Sequence, residues 1–288
     1  MQGLIWSAGA GLVFVVLNAT MRALALQMDV FQAQFLRYLA GMLVMLPLIF
    51  RGGSINWLPR RISGQFVRGA LHAVGLTLWF YALTRIPLAD VTAIGFTTPI
   101  FIMIGAMLFF KEPMRWERWM AAGIGFAGVL IVVGPKMTGA GGIYNLVMLA
   151  SAPLFAASFL VTKALTRYES TGVILLWQGI TVTVFSLPLA LLNWQAPSLA
   201  QWLGFAVCGL LGNTAHFMLT QSYRIADISS TQSVKFLDLI WATLIGWAAF
   251  GDAPSESTLL GGAVICGATL WIAHRERRQR LGRDATLK

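Results

Sequence analysis

The sequence contains ten apolar segments that are each long enough to cross a lipid bilayer. Short breaks with charged residues, proline or glycine separate them, for example Lys111-Glu112-Pro113 and Gly134-Pro135-Lys136. A transmembrane helix needs about 20 mostly apolar residues. We therefore predict ten spans, numbered 1 to 10 in chain order. They cover residues 3–26, 30–50, 64–84, 88–110, 116–134, 142–166, 171–193, 200–223, 227–250 and 257–274.

The composition agrees with a polytopic membrane protein. Hydrophobic residues make up 57% of the 288 residues and charged residues only 11%, whereas a soluble domain has about 25% charged residues. Ten spans use roughly 200 residues and leave no room for a soluble catalytic domain. The formal charge of +10 lies mostly in connections and the C-terminal tail, so we predict no nucleic-acid partner. The fold class predicted is an all-α integral membrane protein.

The distribution of basic residues predicts the orientation. With the N-terminus inside, the inner connections and the tail contain 14 lysines and arginines, and the outer connections contain only Arg85 and Lys136. Connections on the cytoplasmic side carry the excess of Lys and Arg. We therefore predict that both termini face the cytoplasm.

A repeat relates the two halves. A shift of 140 residues lays spans 3–5 on spans 8–10 without a gap, so that Phe96 meets Phe236 and Glu112 meets Asp252. Five spans per repeat is an odd number, so the second copy is inverted in the membrane, an arrangement typical of transporters with a site near the midplane. The predicted organisation is a first repeat at 1–134, a connection at 135–141, a second repeat at 142–276 and a basic tail at 277–288.

Two motifs suggest a family. The first is the segment 81–90, followed by Pro99 and Glu112, and the second is 221–227, followed by Gly246-Trp247 and 250–252. With them the chain resembles the ten-helix EamA-type branch of the drug/metabolite transporter superfamily over nearly its whole length. The resemblance implies a central cavity lined by spans 1, 3, 4, 6, 8 and 9, alternating access without ATP, and a bacterial inner membrane. It is closest in kind to amino-acid and metabolite exporters.

The chain departs from the family pattern at three positions. Leu239 stands where the first repeat has Pro99, Lys111 replaces the usual glycine before Glu112, and Asp252 replaces a glutamate. The motifs therefore specify the fold strongly and the substrate weakly.

Lys235 and Asp238 are the leading candidates for substrate contact. They follow Asp227 by eight and eleven residues, which places them about 12 and 16 Å along the helix, near the middle of the bilayer. Intramembrane charges are functional candidates by default. We predict that Asp238 binds the ammonium and Lys235 the carboxylate of a zwitterion. The alternative is a structural ion pair, and the first repeat has Gly95 and Thr98 at these positions.

His72 and His216 lie at a similar depth in spans 3 and 8. Histidine changes charge near neutral pH, so both are candidates for proton coupling or substrate binding. The alternative is a neutral histidine bonded to neighbouring groups. No metal site and no cofactor is predicted.

Further candidates form a polar and aromatic wall. Asn18 lies on one face of span 1 with Phe14 and Arg22, and such rings can hold an apolar substrate or an ammonium; the alternative is ordinary packing. An outward-snorkelling side chain is expected for Arg37, which is not assigned. The other wall candidates are Trp79, Phe155, Phe159 and Trp241.

Residues that permit bending or close packing are also present. Pro99, Pro153 and Gly95 are predicted hinges, because proline and glycine weaken a helix. Small residues four apart in spans 5 and 10 favour close packing or a homodimer contact, so a monomer and a weak homodimer both stay open. These small residues are Gly123, Ala127, Ala263 and Gly267.

These features predict a secondary transporter that exports amino acids, either aromatic or other neutral ones. Its partners are a small-molecule substrate and membrane lipid. The alternatives are an exporter of a drug-like or nucleoside-type metabolite, and a membrane-embedded enzyme. The sequence lacks the nucleophile elbow, zinc-protease and P-loop motifs, which disfavours the enzyme.

Overall fold

A computed structural model describes residues 2–51, 57–83, 85–86, 88–113, 115–137, 142–250 and 254–286. These residues form helices and contain no strand, as predicted. The α-helices are α1 (Gln2–Ala25), α2 (Val30–Arg51), α3 (Ile62–Leu83), α4 (Leu88–Gly95), α5 (Thr98–Phe110), α6 (Trp116–Val133), α7 (Ile143–Leu165), α8 (Thr171–Ala190), α9 (Leu199–Ile225), α10 (Ile228–Gln232), α11 (Leu237–Phe250) and α12 (Glu256–Thr286). Short 3₁₀ turns cover Gly134–Lys136 and Ser233–Phe236.

Within the described residues, eight helices are long and apolar enough to cross a membrane. Val30–Met45 is a shorter apolar helix, and residues 228–250 are divided among α10, a 3₁₀ turn and α11. The helices fall at the ten predicted positions, but a count of ten membrane crossings stays a prediction. So does the orientation of the termini.

Span 4 was expected to bend at Pro99 and span 9 to be continuous, and both are interrupted. α4 ends at Gly95, and Pro99 lies in the first turn of α5, where its missing N–H costs nothing. The break therefore precedes the predicted kink at Pro99. Span 9 has Leu239 instead of proline, yet it breaks at the 3₁₀ turn. Phe96 and Phe236 stack at the two breaks, with ring centroids 5.7 Å apart.

The helices of the two halves pack in matching pairs. α1, the first span of the first half, packs on α9, the third span of the second half. In the same way α7, the first span of the second half, packs on α3, the third span of the first half. α2 packs on α8, and α6 packs on α12. An exchange of the halves thus preserves the main contacts, as expected for an inverted repeat.

The prediction of close packing through the small residues of spans 5 and 10 needs correction. Gly123, Ala127, Ala263 and Gly267 are exposed, so they do not bring α6 and α12 together. That contact uses Gly128 and Gly261 instead: a Cβ on Gly261 would lie 2.5 Å from the Gly128 carbonyl oxygen.

Two further predictions concern helix ends and bends. α7 runs as one helix through Pro153, so this proline does not interrupt it. The predicted tail at 277–288 is helical as far as Thr286, because α12 continues without a break.

Candidate functional site

Two histidines meet in the middle of the bundle. His72 on α3 and His216 on α9 are buried, and their ring centroids lie 5.6 Å apart. His72 Nε2 lies 2.9 Å from the Tyr38 hydroxyl, and His72 Nδ1 lies 3.3 Å from Ser158 Oγ. His216 Nε2 lies 3.4 Å from the Gln178 amide nitrogen. Three other helices, α2, α7 and α8, therefore supply the hydrogen-bonding groups around the pair.

Arg68 supports this histidine pair and was not identified from the sequence. It is fully buried on α3, and it donates to Thr162 Oγ1 at 2.5 Å and to the Ile174 carbonyl at 2.9 Å. A third bond, of 2.7 Å, reaches Gln178 Oε1. These bonds join α3 to α7 and α8. The signal was available, because Arg68 precedes His72 by four residues and shares its helix face.

Aromatic rings surround the histidines. The Phe14 ring centroid lies 5.0 Å from that of His216, and the rings are perpendicular. Phe155 and Phe159 on α7 lie 5.4 and 6.0 Å from the His72 ring. The structure therefore brings these three predicted wall residues together with both histidines. We call these five residues the ring cluster.

The predicted ion pair adjoins the ring cluster. Lys235 Nζ lies 3.3 Å from Asp238 Oδ2 and 5.3 Å from the centroid of the Phe14 ring. Asp238 packs against Gly11 of α1, where a Cβ would collide with the carboxylate. Its other oxygen, Oδ1, is buried and has no hydrogen-bond partner among the described residues. A charged oxygen without a partner is costly in a membrane interior.

The remaining wall candidates are less closely connected. Asn18 is exposed on α1, and the side chain of Arg22 lies outside the described residues. Trp79 packs edge-to-face on Phe80 at 4.9 Å rather than on either histidine. The Trp241 indole N–H is buried and lacks a hydrogen-bond partner within the described segments.

Arg37 does not snorkel outward as expected. Its guanidinium lies 4.8 Å from the Tyr38 ring, and a Cβ on Gly212 of α9 would be 3.5 Å from its Nη2. The side chain therefore points toward α9 and the interior. Gly212, which has no side chain, leaves room for it, and α2 approaches α9 closely at Gly209, where a Cβ would meet the Gly41 backbone.

A polar network joins several helices at one end of the bundle, which we call the Glu112 end. The Glu112 carboxylate accepts bonds from the backbone N–H groups of Ile228 and Ser229 at 2.9 and 3.1 Å. Arg118 binds Asp227 Oδ2 at 3.0 Å and Ser229 Oγ at 2.7 Å. The network joins the first half of the chain to the second.

The described residues contain no group of three His, Cys, Asp or Glu side chains placed to hold a metal ion. The chemistry of the site is therefore that of rings, hydroxyls, amides and a few charges. Such a set binds small molecules through ring contacts and hydrogen bonds.

Comparison with known proteins identifies the family. The EamA-like transporter family matches residues 1–134 and 142–273. A riboflavin transporter of Rhizobium johnstonii is 33% identical, covering 96% of this chain and 92% of its own length. An S-adenosylmethionine uptake transporter of Rickettsia felis is 29% identical, covering 86% and 84%.

More distant proteins agree with this result. The pseudopaline exporter CntI of Pseudomonas aeruginosa is 24% identical over 96% of this chain and 97% of its own length. A crystal structure of another protein superposes with a TM-score of 0.79 over 96% of both chains at 17% identity, which shows the fold alone. The chain therefore belongs to the EamA-like transporter family and is an integral membrane transporter of small metabolites rather than an enzyme.

Proposed function

We propose that the protein moves a small amphipathic metabolite, with a flat ring and an ionic group, past the ring cluster. The observation that carries this proposal is the juxtaposition of the histidine pair and Phe14 with the Lys235–Asp238 ion pair. Perpendicular rings receive another ring at their faces and edges, and an aromatic face attracts a cation. A cargo with both features matches both parts of the site.

The names of the relatives support a cargo with a ring. Riboflavin and S-adenosylmethionine both contain a flat heteroaromatic ring, and S-adenosylmethionine also has an amino-acid portion. An aromatic amino acid, as the sequence predicted, has the same two parts. Its ammonium fits the unpartnered oxygen of Asp238. Export is our proposed direction for net transport.

We further propose alternating access between two inverted repeats. The matching contacts of α1 with α9 and α3 with α7 support the repeat. The polar network at the Glu112 end supports a conformation closed at that end, which the charge distribution assigns to the cytoplasm. In the inverted copy Asp252 takes the position of Glu112, and it lies outside the described residues.

Reconstitution tests the proposed cargo. Proteoliposomes with purified protein are loaded with unlabelled riboflavin, S-adenosylmethionine or tryptophan, and uptake of the labelled compound is measured. Saturable counterflow of at least one of them is the expected result. Linear uptake that matches empty liposomes for all three compounds rejects the proposed cargo class.

Asp238→Asn is expected to reduce counterflow by about tenfold or more, because it removes one charge-assisted contact with the cargo of roughly 1.5–3 kcal/mol. Lys235→Ala is expected to reduce it as well, because it removes the positive charge that is paired with Asp238. The matched control is Glu256→Gln, which removes an exposed carboxylate at the start of α12. Counterflow is compared at equal amounts of monodisperse protein. Wild-type rates in both variants contradict a cargo contact.

The same assay, run with and without a pH gradient, examines proton coupling by the histidines. If His72 or His216 carries the coupled proton, replacement by Gln removes the effect of the gradient. An unchanged effect in both variants assigns the two histidines to neutral hydrogen bonding.

Glu112→Gln is expected to loosen the Glu112 end, because an amide does not replace the two oxygens that accept from Ile228 and Ser229. Ser230, which is buried nearby, is replaced by cysteine in a background without Cys208 and Cys266. We expect maleimide labelling of this cysteine to be about tenfold faster, the equivalent of roughly 1.4 kcal/mol. Glu117→Gln is the control at the same end, and equal labelling rates in the two variants contradict the closure.

A further inference from the structure

A narrow cavity lies between α2, α8 and α9 and shares a wall with the ring cluster. Arg37, Tyr38, Gln178, Asn213 and His216 supply its polar lining. The remaining wall is mostly glycine, at positions 41, 179, 209 and 212. Because glycine has no side chain, the cavity extends to the helix backbones. His216 belongs both to this cavity and to the ring cluster.

The guanidinium of Arg37 has unused hydrogen-bonding capacity. It touches the Tyr38 ring, but the described part of the chain offers it no hydrogen bond or salt bridge. An arginine has five N–H donors in a planar fork. The side chain is partly exposed rather than sealed, so these donors can reach a molecule in the cavity.

The charges around the cavity do not balance. Arg68 binds only neutral oxygens, those of Thr162, Ile174 and Gln178. Lys235 is already neutralised by Asp238. Among the described residues, two buried or half-buried guanidinium groups therefore have no acidic partner. A cation at membrane depth normally has an anion or water beside it.

We infer that Arg37, in the wall of this cavity of about 20 Å³, binds an anionic group of the cargo, a carboxylate or a phosphate, one oxygen of which enters the cavity. The inference rests on the proposed function, because it places the ring of the same cargo at the ring cluster beyond His216. Arginine pairs with either anion through two parallel hydrogen bonds. In a zwitterionic cargo the carboxylate then lies at Arg37 and the ammonium at Asp238, so Lys235 serves to balance Asp238.

The experiment compares acids with neutral compounds of the same shape. Binding is measured from the thermal stabilisation of the purified full chain by indole-3-acetate and indole-3-acetamide, for a carboxylate, and by riboflavin 5′-phosphate and riboflavin, for a phosphate. Inorganic phosphate alone is a further arm. The variants are Arg37→Gln and Gly212→Leu, which fills the cavity beside Arg37, and Arg60→Gln removes an exposed arginine as the control.

We expect at least one acid to bind about tenfold or more tightly than its neutral partner to the wild type and to Arg60→Gln, as two charge-assisted bonds allow. Arg37→Gln and Gly212→Leu should bring that ratio close to one while the neutral compound still binds. Unchanged binding of the neutral compound by these two variants also shows that they are folded.

Three results overturn the inference. The first is equal binding of the acid and the neutral compound by the wild type. The second is an unchanged ratio of acid affinity to neutral-compound affinity in folded Arg37→Gln and Gly212→Leu. The third is stabilisation by inorganic phosphate that is as strong as that by either organic acid. Counterflow is recorded separately with the same compounds. Absence of counterflow alongside an Arg37-dependent ratio rejects the proposed function and leaves the anion subsite standing.

Discussion

Arg68→Ala is expected to destabilise the folded protein and to reduce its transport activity. The substitution removes three hydrogen bonds that join α3 to α7 and α8. It leaves Thr162 Oγ1 and Gln178 Oε1 without the donor that Arg68 provides. Loss of hydrogen bonds from a charged donor costs roughly 1.5–3 kcal/mol each in proteins, although such bonds are worth less on average in membranes. We expect a total near 3 kcal/mol, a large part of the 5–15 kcal/mol that stabilises a typical fold.

The measurement is the melting temperature of detergent-solubilised protein, followed by size-exclusion chromatography after heating, together with counterflow. Arg167→Ala is the control, because this arginine is exposed and contacts only the Phe110 ring among the described residues. Arg68→Lys keeps the charge but not the planar guanidinium with its several donors, so we expect an intermediate decrease in the melting temperature. A wild-type melting temperature for Arg68→Ala would falsify this role.

Gly209→Val is expected to separate α2 from α9 and to abolish transport. A Cβ at this position would lie 2.6 Å from the Gly41 nitrogen, 2.8 Å from its Cα and 2.9 Å from the Ala40 carbonyl carbon. These are backbone atoms, so no rotamer change relieves the collision. The adjacent bond from Asn213 Nδ2 to the Gly41 carbonyl, 2.8 Å long, would break as well. Overpacking of a core costs about 1–3 kcal/mol even where side chains can adjust.

Gly267→Val provides the matched comparison. It introduces the same side chain into another apolar helix, at an exposed glycine where an added Cβ would meet no described atom within 4 Å. We expect this variant to elute and to melt like the wild type, while Gly209→Val aggregates or melts earlier. Indistinguishable behaviour of the two variants shows that the α2–α9 contact tolerates the added volume.

Part of the site was accessible from the sequence because spacing along a helix fixes the shared face. His72 and His216 were placed at similar depth by counting residues from the span ends, and the structure brings them together with Phe14. Lys235 and Asp238 were paired by their spacing of three residues, and the pair forms. Their roles in transport stay predictions.

Other parts depended on contacts between helices that are far apart in the sequence. Arg37 was expected to turn outward, but Gly212 on α9 leaves room for it on the inner side. Arg68 shares a helix face with His72, but its partners Thr162, Ile174 and Gln178 belong to α7 and α8 and are set by packing. The close contact of α6 with α12 uses Gly128 and Gly261, whereas the small residues chosen from the sequence face outward.

The sequence by itself determined that the chain is a helical membrane protein with spans at regular positions, because backbone groups in lipid must be satisfied within each helix and apolar length follows bilayer thickness. The tertiary structure decided where spans 4 and 9 break, which way Arg37 turns and which groups Arg68 binds. Packing against other helices sets these features, since steric room and hydrogen-bond partners come from residues distant in the chain.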